Sequence, residues 1–276
     1  MNRGEARQSP AATVPQTKLS RLWRLTSLPM LLFLSLPILA LILRIPPADL
    51  VENLRQPNVF QAIALSLGTT LISTMIIILA GTPLAYSQAR GQFRYNRLVD
   101  TLIDLPLVLP PAVAGVALLM TFGRRGIFGG ILDDLGLHIA FTPIAVIIVQ
   151  VFIAAPFYIK SAALGFSNID HELEQAAALD GASSTQIFRL LTIPLSWSAL
   201  LGGSVMSWAR ALGEFGATII FAGNFPGRTQ TMPMAIYIGF ELDLDIALTL
   251  SVILITLSFL ALFIAKFILN RDWMSS

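Results

Sequence analysis

The chain is predicted to be an all-α, polytopic membrane protein with six transmembrane helices and one long cytoplasmic loop. Three observations carry this expectation. Apolar residues make up 55% of the 276 residues and charged residues only 12%, about half the charged share of a soluble domain. Mean hydropathy is +0.75. The apolar residues also gather into six runs, each near the roughly 20 residues that a helix needs to cross a bilayer. The same figures exclude a nucleic-acid-binding protein, a disordered chain and an ordinary soluble enzyme. There is no cysteine, so disulfides and thiolate metal sites are excluded.

The elements follow in order. Residues 1–24 are polar, contain Pro10 and Pro15, and read as a disordered cytoplasmic tail. The run 25–43 is longer than the roughly 7–15 apolar residues of a signal peptide, and no A-x-A site follows it. It is therefore predicted to be a true span. The second span is expected at 63–86. The third, at 102–122, is interrupted by Pro106, Pro110 and Pro111, with Gly115 after them. Prolines remove backbone donors and kink helices, and broken helices at membrane depth occur beside protein or a water-filled cavity. This span reads either as lining or gating a pore, or as a packing kink. Further spans are expected at 139–159, 196–222 and 246–269, within one transmembrane domain at 25–276.

Six spans put both termini on one side. With the N-terminus inside, twelve of the 18 Lys and Arg residues are cytoplasmic. Five lie outside: Arg44, Arg55, Arg124, Arg125 and Arg228. The excess inside predicts cytoplasmic termini and makes 160–194 a cytoplasmic loop.

That loop carries helix signals. Ser167 followed by Asp170 has the form of a capping box. Asp170, Glu172 and Glu174 crowd the first turns, where the helix dipole favours anions. Leu173, Ala176 and Ala177 form a small apolar face, and Gly181 is a natural C-terminal stop. Ser183 and Gln186 start a second short helix, which Pro194 ends. Such a helix either inserts into a partner's groove or covers the bundle surface.

In the fifth span Arg210 and Glu214 are four residues apart and share a helix face. An ionisable residue at membrane depth costs about 2.5–3.5 kcal/mol, so mutual pairing is the economical arrangement. Thr218 extends the polar stripe. Ala209, Gly213 and Ala217 form a small-residue stripe beside it, which suits close helix contact. The polar stripe reads as lining a pathway or an interface near its gate, or as a structural ion pair. Arg210 could also lie near the cytoplasmic end and snorkel.

The loop resembles the "EAA" loop of permease subunits of bacterial ABC importers. Ala176, Ala177, Gly181 and Pro194 are in register with that pattern. Gln175 stands where the family has Glu, with Glu174 adjacent, and Leu191 and Ile193 replace Ile and Leu. Downstream, ARALGEFGATIIFA at 209–222 and GNFPGRTQTMP at 223–233 resemble permeases of the molybdate, tungstate and sulfate group. The resemblance covers the chain after about Phe60. It implies that the loop is a coupling helix docked in a groove of an ATP-binding subunit. Asp170, Glu174, Gln175, Ala176, Ala177, Gly181 and Pro194 are then the ATPase-coupling residues. It also implies a homodimer with two ATP-binding subunits, and an extracytoplasmic substrate-binding protein that selects the oxyanion. No cofactor and no chemistry in this chain are implied.

Outside the membrane, Asn224 and Arg228 offer donors to an arriving oxyanion, or belong to a solvated loop. With Arg210, Glu214 and Thr218 they form the candidate pathway. Glu241, Asp243 and Asp245 read as solvated acids or as partners for a docking protein. No P-loop, H-E-x-x-H or G-x-S-x-G motif is present, and neither His138 nor His171 has an evident partner. Molybdate is the expected substrate. The alternatives are tungstate, sulfate or thiosulfate in the same class, or a secondary transporter or channel that uses Arg210 and Glu214 for ion coupling.

Overall fold

The computed structural model describes residues 18–273, and all of its regular structure is helical. It divides into two units, 1–44 and 45–276. The expected tail lies outside the described residues as far as 17. The first unit is helix α1, Lys18–Arg44. It begins before the expected span, and its apolar window at Leu25–Arg44 is wholly unburied.

The second unit contains the remaining helices. They are α2 (Pro47–Leu54), α3 (Pro57–Ala89), α4 (Asn96–Val108), α5 (Pro111–Phe122) and α6 (Gly129–Asp134). Next come α7 (Pro143–Ser167), α8 (His171–Leu179) and α9 (Ser184–Ile187), then a π-helical turn at Phe188–Thr192. The chain ends with α10 (Ile193–Leu195), α11 (Trp197–Leu212), α12 (Gly216–Phe221), α13 (Met232–Leu242) and α14 (Leu244–Trp273).

Helix α7 is the shaft of the unit, packed against α3 and α11. Thr142 caps it by accepting from the Ala145 N–H, and Pro143 occupies the first turn, where a missing N–H costs nothing. Its first half joins a core with Val146, Val149, Ala217 and Phe221. Its second half joins another with Tyr158, Phe166, Ile77 and Ala211. A third core links α3, α13 and α14 through Val59, Met232 and Leu250. Small residues bring α7 and α11 together: a Cβ at Gly165 would lie 2.5 Å from that of Ala199. Hydrogen bonds reinforce the α3–α7 contact, as expected between helices in lipid. Ser73 Oγ donates to Gln150 Oε1 at 2.9 Å, and Gln150 Nε2 donates to Thr69 Oγ1 at 3.1 Å.

Among the described residues, four helices are long and apolar enough to cross a membrane, and up to six crossings result if two bent pairs each count as one. The third expected span is such a pair, since α4 and α5 meet at 115°. Leu109 and Pro110 are both extended, with ψ of 132° and 135°. Each precedes a proline, which disfavours the helical region for the residue before it. Two in succession turn the chain rather than kink it. The fifth expected span, 196–222, is also divided. Its first part, α11, follows the 184–195 segment with a 71° bend and stops at Leu212, after which α12 starts afresh. The fourth expected span runs on to Ser167, so Lys160 lies within α7 rather than in a loop. Its Nζ is 2.5 Å from Asp100 and 2.8 Å from Asp104 of α4. Helix α13 was not expected from the sequence.

Candidate functional site: a coupling surface and a broken-helix path

Helix α8 starts at Asp170, whose side chain accepts from the Glu172 N–H at 2.9 Å. Ser167 takes no part in this cap. It is the last residue of α7 and donates to Leu164 O. Gly181, at φ +90°, ends α8. Its N–H bonds to Ala178 O and that of Ala182 to Ala177 O, both at 3.0 Å. This is a Schellman arrangement, which needs a left-handed residue. Ser183 and Gln186 then form a reciprocal capping box.

No residue of α8 is buried. Gln175 and Ala176 are exposed and Ala177 is half-buried. Leu173 and Leu179 are 49% and 89% exposed. Nothing lies within 4 Å of a Cβ added at Gly181. The helix therefore presents small and apolar groups outward. Glu174 instead turns inward. Its Oε1 lies 2.5 Å from Arg90 Nη2 and accepts from Thr192 Oγ1 at 2.9 Å. His171 sits beside the same Arg90, at 3.1 Å from Nε2 to Nη1. Pro194 is exposed and does not end a helix. It falls inside α10, directly after the π turn, and the break comes at Ser196.

At the second break Arg210 Nη2 lies 2.8 Å from Glu214 Oε2. The two do not share a helix, because Gly213 is the C-cap of α11. Glu214 bridges the interruption. Its other oxygen, Oε1, accepts from the Ala217 N–H in the first turn of α12 at 2.9 Å. Arg210 is 31% exposed and Glu214 only 2%. Beside this break lies the other one. A Cβ on Gly216 would come 2.7 Å from Pro111 Cβ, and one on Gly115 would come 2.8 Å from Ala217 O. Helices α5 and α12 thus start at the same level and pack side by side. Thr218 is wholly buried and its Oγ1 has no hydrogen-bond partner.

At the end of α7 remote from α8, a cavity of about 440 Å³ is lined by Arg124, Asp133, His138, Phe141, Phe225 and Arg228 among others. His138 Nδ1 is 3.6 Å from Asp133. Neither arginine has a carboxylate within ion-pair distance among the described residues. Phe141 is the single non-glycine residue with positive φ among them, at 62°. Asn224 lies outside this lining, and its buried Oδ1 has no partner. Asp243 caps α14 by accepting from the N–H groups of Asp245 and Ile246. Among the described residues, no group of three or more His, Asp or Glu is placed to hold a metal ion.

Two residues of this arrangement escaped the sequence reading, Arg90 and Thr192. They are separated from Glu174 by 84 and 18 residues, and no local pattern joins them.

A bundle of apolar helices with two broken members and a short exposed helix at one end has the architecture of a multi-pass membrane protein. The chain belongs to the family described as binding-protein-dependent transport system inner membrane component, which it matches over residues 77–271. It is 36% identical over 244 residues to the molybdenum transport system permease protein ModB of Mycobacterium tuberculosis, covering 88% of this chain and 92% of that one. It is 30% identical over 250 residues to a probable sulfate transport system permease protein, cysT, of Chlorokybus atmophyticus, covering 89% and 87%. Its fold is that of a chain in the bacterial alginate ABC transporter crystallised with an alginate pentasaccharide-bound periplasmic protein. There the TM-score is 0.70 at 17% identity, covering 94% of this chain and 98% of that one. The protein is thus a multi-pass inner-membrane transport component of the ABC importer class. It is not an enzyme. The family's description ties it to a substrate-binding protein.

Proposed function

We propose that the chain forms the oxyanion pathway of a molybdate importer. One copy supplies half of a homodimer, with two ATP-binding subunits beneath it and a binding protein on the outer face. The observation that carries the substrate is the 36% identity to the molybdenum permease across nearly the whole of both chains. Sulfate is the second reading, favoured by the 30% identity to a sulfate permease over a similar length. Both ions are tetrahedral dianions, and the binding protein makes the selection.

Both termini are cytoplasmic on this reading. The ATP-binding subunit docks on the outward face of the loop. Its contacts are Leu173, Gln175, Ala176, Ala177, Leu179 and Gly181, and Asp170 fixes the start of the helix. The exposed Pro194 lies at the margin of this surface. At the outer end the unpaired Arg124 and Arg228 attract an anion released above them. Asn224, Thr218 and the Arg210–Glu214 bridge line its course past the two breaks. ATP binding closes the nucleotide subunits, draws the coupling helices together and opens the pathway outward, and hydrolysis resets it.

The test is uptake of labelled molybdate at low concentration in cells with and without this chain, with excess tungstate or sulfate as competitor. Uptake that needs the chain and is competed by tungstate but not sulfate is the expected result. Competition by sulfate moves the assignment to the sulfate group. Uptake that ignores the chain removes the molybdate reading.

A further inference from the structure

Helix α8 meets Arg90 of α3 through the Glu174 carboxylate, with His171 beside it. Glu174 is 14% exposed and Arg90 only 6%, on a helix with no buried residue. Arg90 is the C-cap residue of α3. Its guanidinium lies 5.5 Å from the Tyr86 ring centroid. Tyr86 in turn meets Phe166 of α7 and Phe188 of the π turn edge-on, at 5.6 and 5.1 Å. The other ligand of Glu174, Thr192, is wholly buried and closes the π turn. Two opposite charges so little exposed are costly to separate, because each would be left uncompensated.

The elements that meet Glu174 lead in two directions. Arg90 leads into α3. Thr192 leads through α10 and the 71° bend into α11, which carries Arg210 at its far end. Arg210 holds Glu214, and Glu214 caps α12. A π turn within an α-helical path is rare and is often found at functional sites. Here it stands between the carboxylate and the broken helix.

We propose that the Glu174–Arg90–Thr192 cluster is the joint that turns displacement of the coupling helix into displacement of α3 and α11. Glu174 is a positioning residue that faces away from the docked subunit. The contacts with that subunit belong to the Leu173, Ala176 and Leu179 side. The inference rests on the reading of α8 as the docking helix.

The experiment uses proteoliposomes holding this chain with its ATP-binding subunit, supplied with binding protein and molybdate. It records both co-purification of the ATP-binding subunit and molybdate transported per ATP hydrolysed. In Arg90→Gln the ATP-binding subunit co-purifies at the wild-type yield, while transport per ATP falls roughly tenfold, a size typical of coupling between sites. Thr192→Val gives a smaller loss in the same direction, and Arg90→Lys recovers most of the ratio. Glu174→Gln combined with Arg90→Gln is no worse than either alone, because both remove the same contact. An unchanged ratio in Arg90→Gln and Thr192→Val overturns the joint. So does lost co-purification with a normal ratio in the complexes that form, which returns Glu174 to the docking face. Where Arg90→Gln does not fold, Thr192→Val decides alone. Failure of the wild-type chain to retain the ATP-binding subunit sinks the docking reading itself, and is distinct from both.

Discussion

Glu214 shows how one side chain holds a break open. Its two oxygens serve different elements, one on the Arg210 guanidinium and one on the first-turn N–H of α12. Glu214→Ala leaves Arg210 unpaired and the α12 start uncapped. Breaking a buried ion pair costs about 3–5 kcal/mol, so this variant is expected to unfold at a clearly lower temperature in detergent. Glu214→Gln keeps an acceptor for the Ala217 N–H and loses less. Equal unfolding temperatures for wild type and Glu214→Ala would show that the bridge does not support the break. The spacing of Arg210 and Glu214 made their contact legible in the sequence, since four residues bring two side chains together. The interruption between them was not legible. The fall in hydropathy across Gly213–Gly216 is that of Glu214 itself, already explained by its pairing, and a glycine among small residues looks the same in a packing stripe as at a helix end. Arg90 was missed for a different reason: its partner is 84 residues away, and only the fold brings them together.

At the scale of elements, the boundaries depend on backbone chemistry that apolar runs do not report. The Leu109–Pro110–Pro111 sequence contains the 115° turn in plain view, because each residue before a proline is steered away from the helix. The sequence reading took it for a kink within one span. The coupling loop was more legible, because Asp170, Gly181, Ser183 and Gln186 are local signals with local effects. Two substitutions test these elements. Gly181→Ala places a Cβ at φ +90°, a cost of about 1–2 kcal/mol, yet adds nothing that touches a neighbour. It is expected to lower stability a little and leave docking intact. Gly181→Trp adds bulk on the outward face and is expected to abolish co-purification of the ATP-binding subunit. Full yield with the Trp variant would remove Gly181 from the docking surface. At the paired breaks, Gly115→Ala would set a Cβ 2.8 Å from Ala217 O and 2.9 Å from Ile220 Cβ. Overpacking of this kind costs about 1–3 kcal/mol. Lower thermal stability together with reduced transport is the expected result, whereas unchanged values for both would mean that α5 and α12 separate freely.

For the whole molecule, orientation is the claim on which the mechanism turns. Helix α8 and the basic cavity lie at opposite ends of α7. Its 25 residues span about 37 Å, enough to cross the apolar core of a bilayer. Whichever end faces the cytoplasm, the other meets the binding protein. The orientation proposed above, which rests on the distribution of Lys and Arg, puts α8 inside, where ATP is. The chain has no cysteine, so a single introduced thiol reports without background. Leu179, at 89% exposure on α8, and Ile127, at 80% beside the cavity, are suitable positions. In intact cells a membrane-impermeant maleimide is expected to label Ile127→Cys and to spare Leu179→Cys until the membrane is opened. Adding the ATP-binding subunit to opened membranes should then protect Leu179→Cys and leave Ile127→Cys reactive, because only the first lies on the docking face. The reverse pattern in intact cells would place the coupling helix outside, where no ATP-binding subunit can reach it. Both the docking surface and the Glu174 joint would fall with it, while the fold and the two broken helices would stand unchanged.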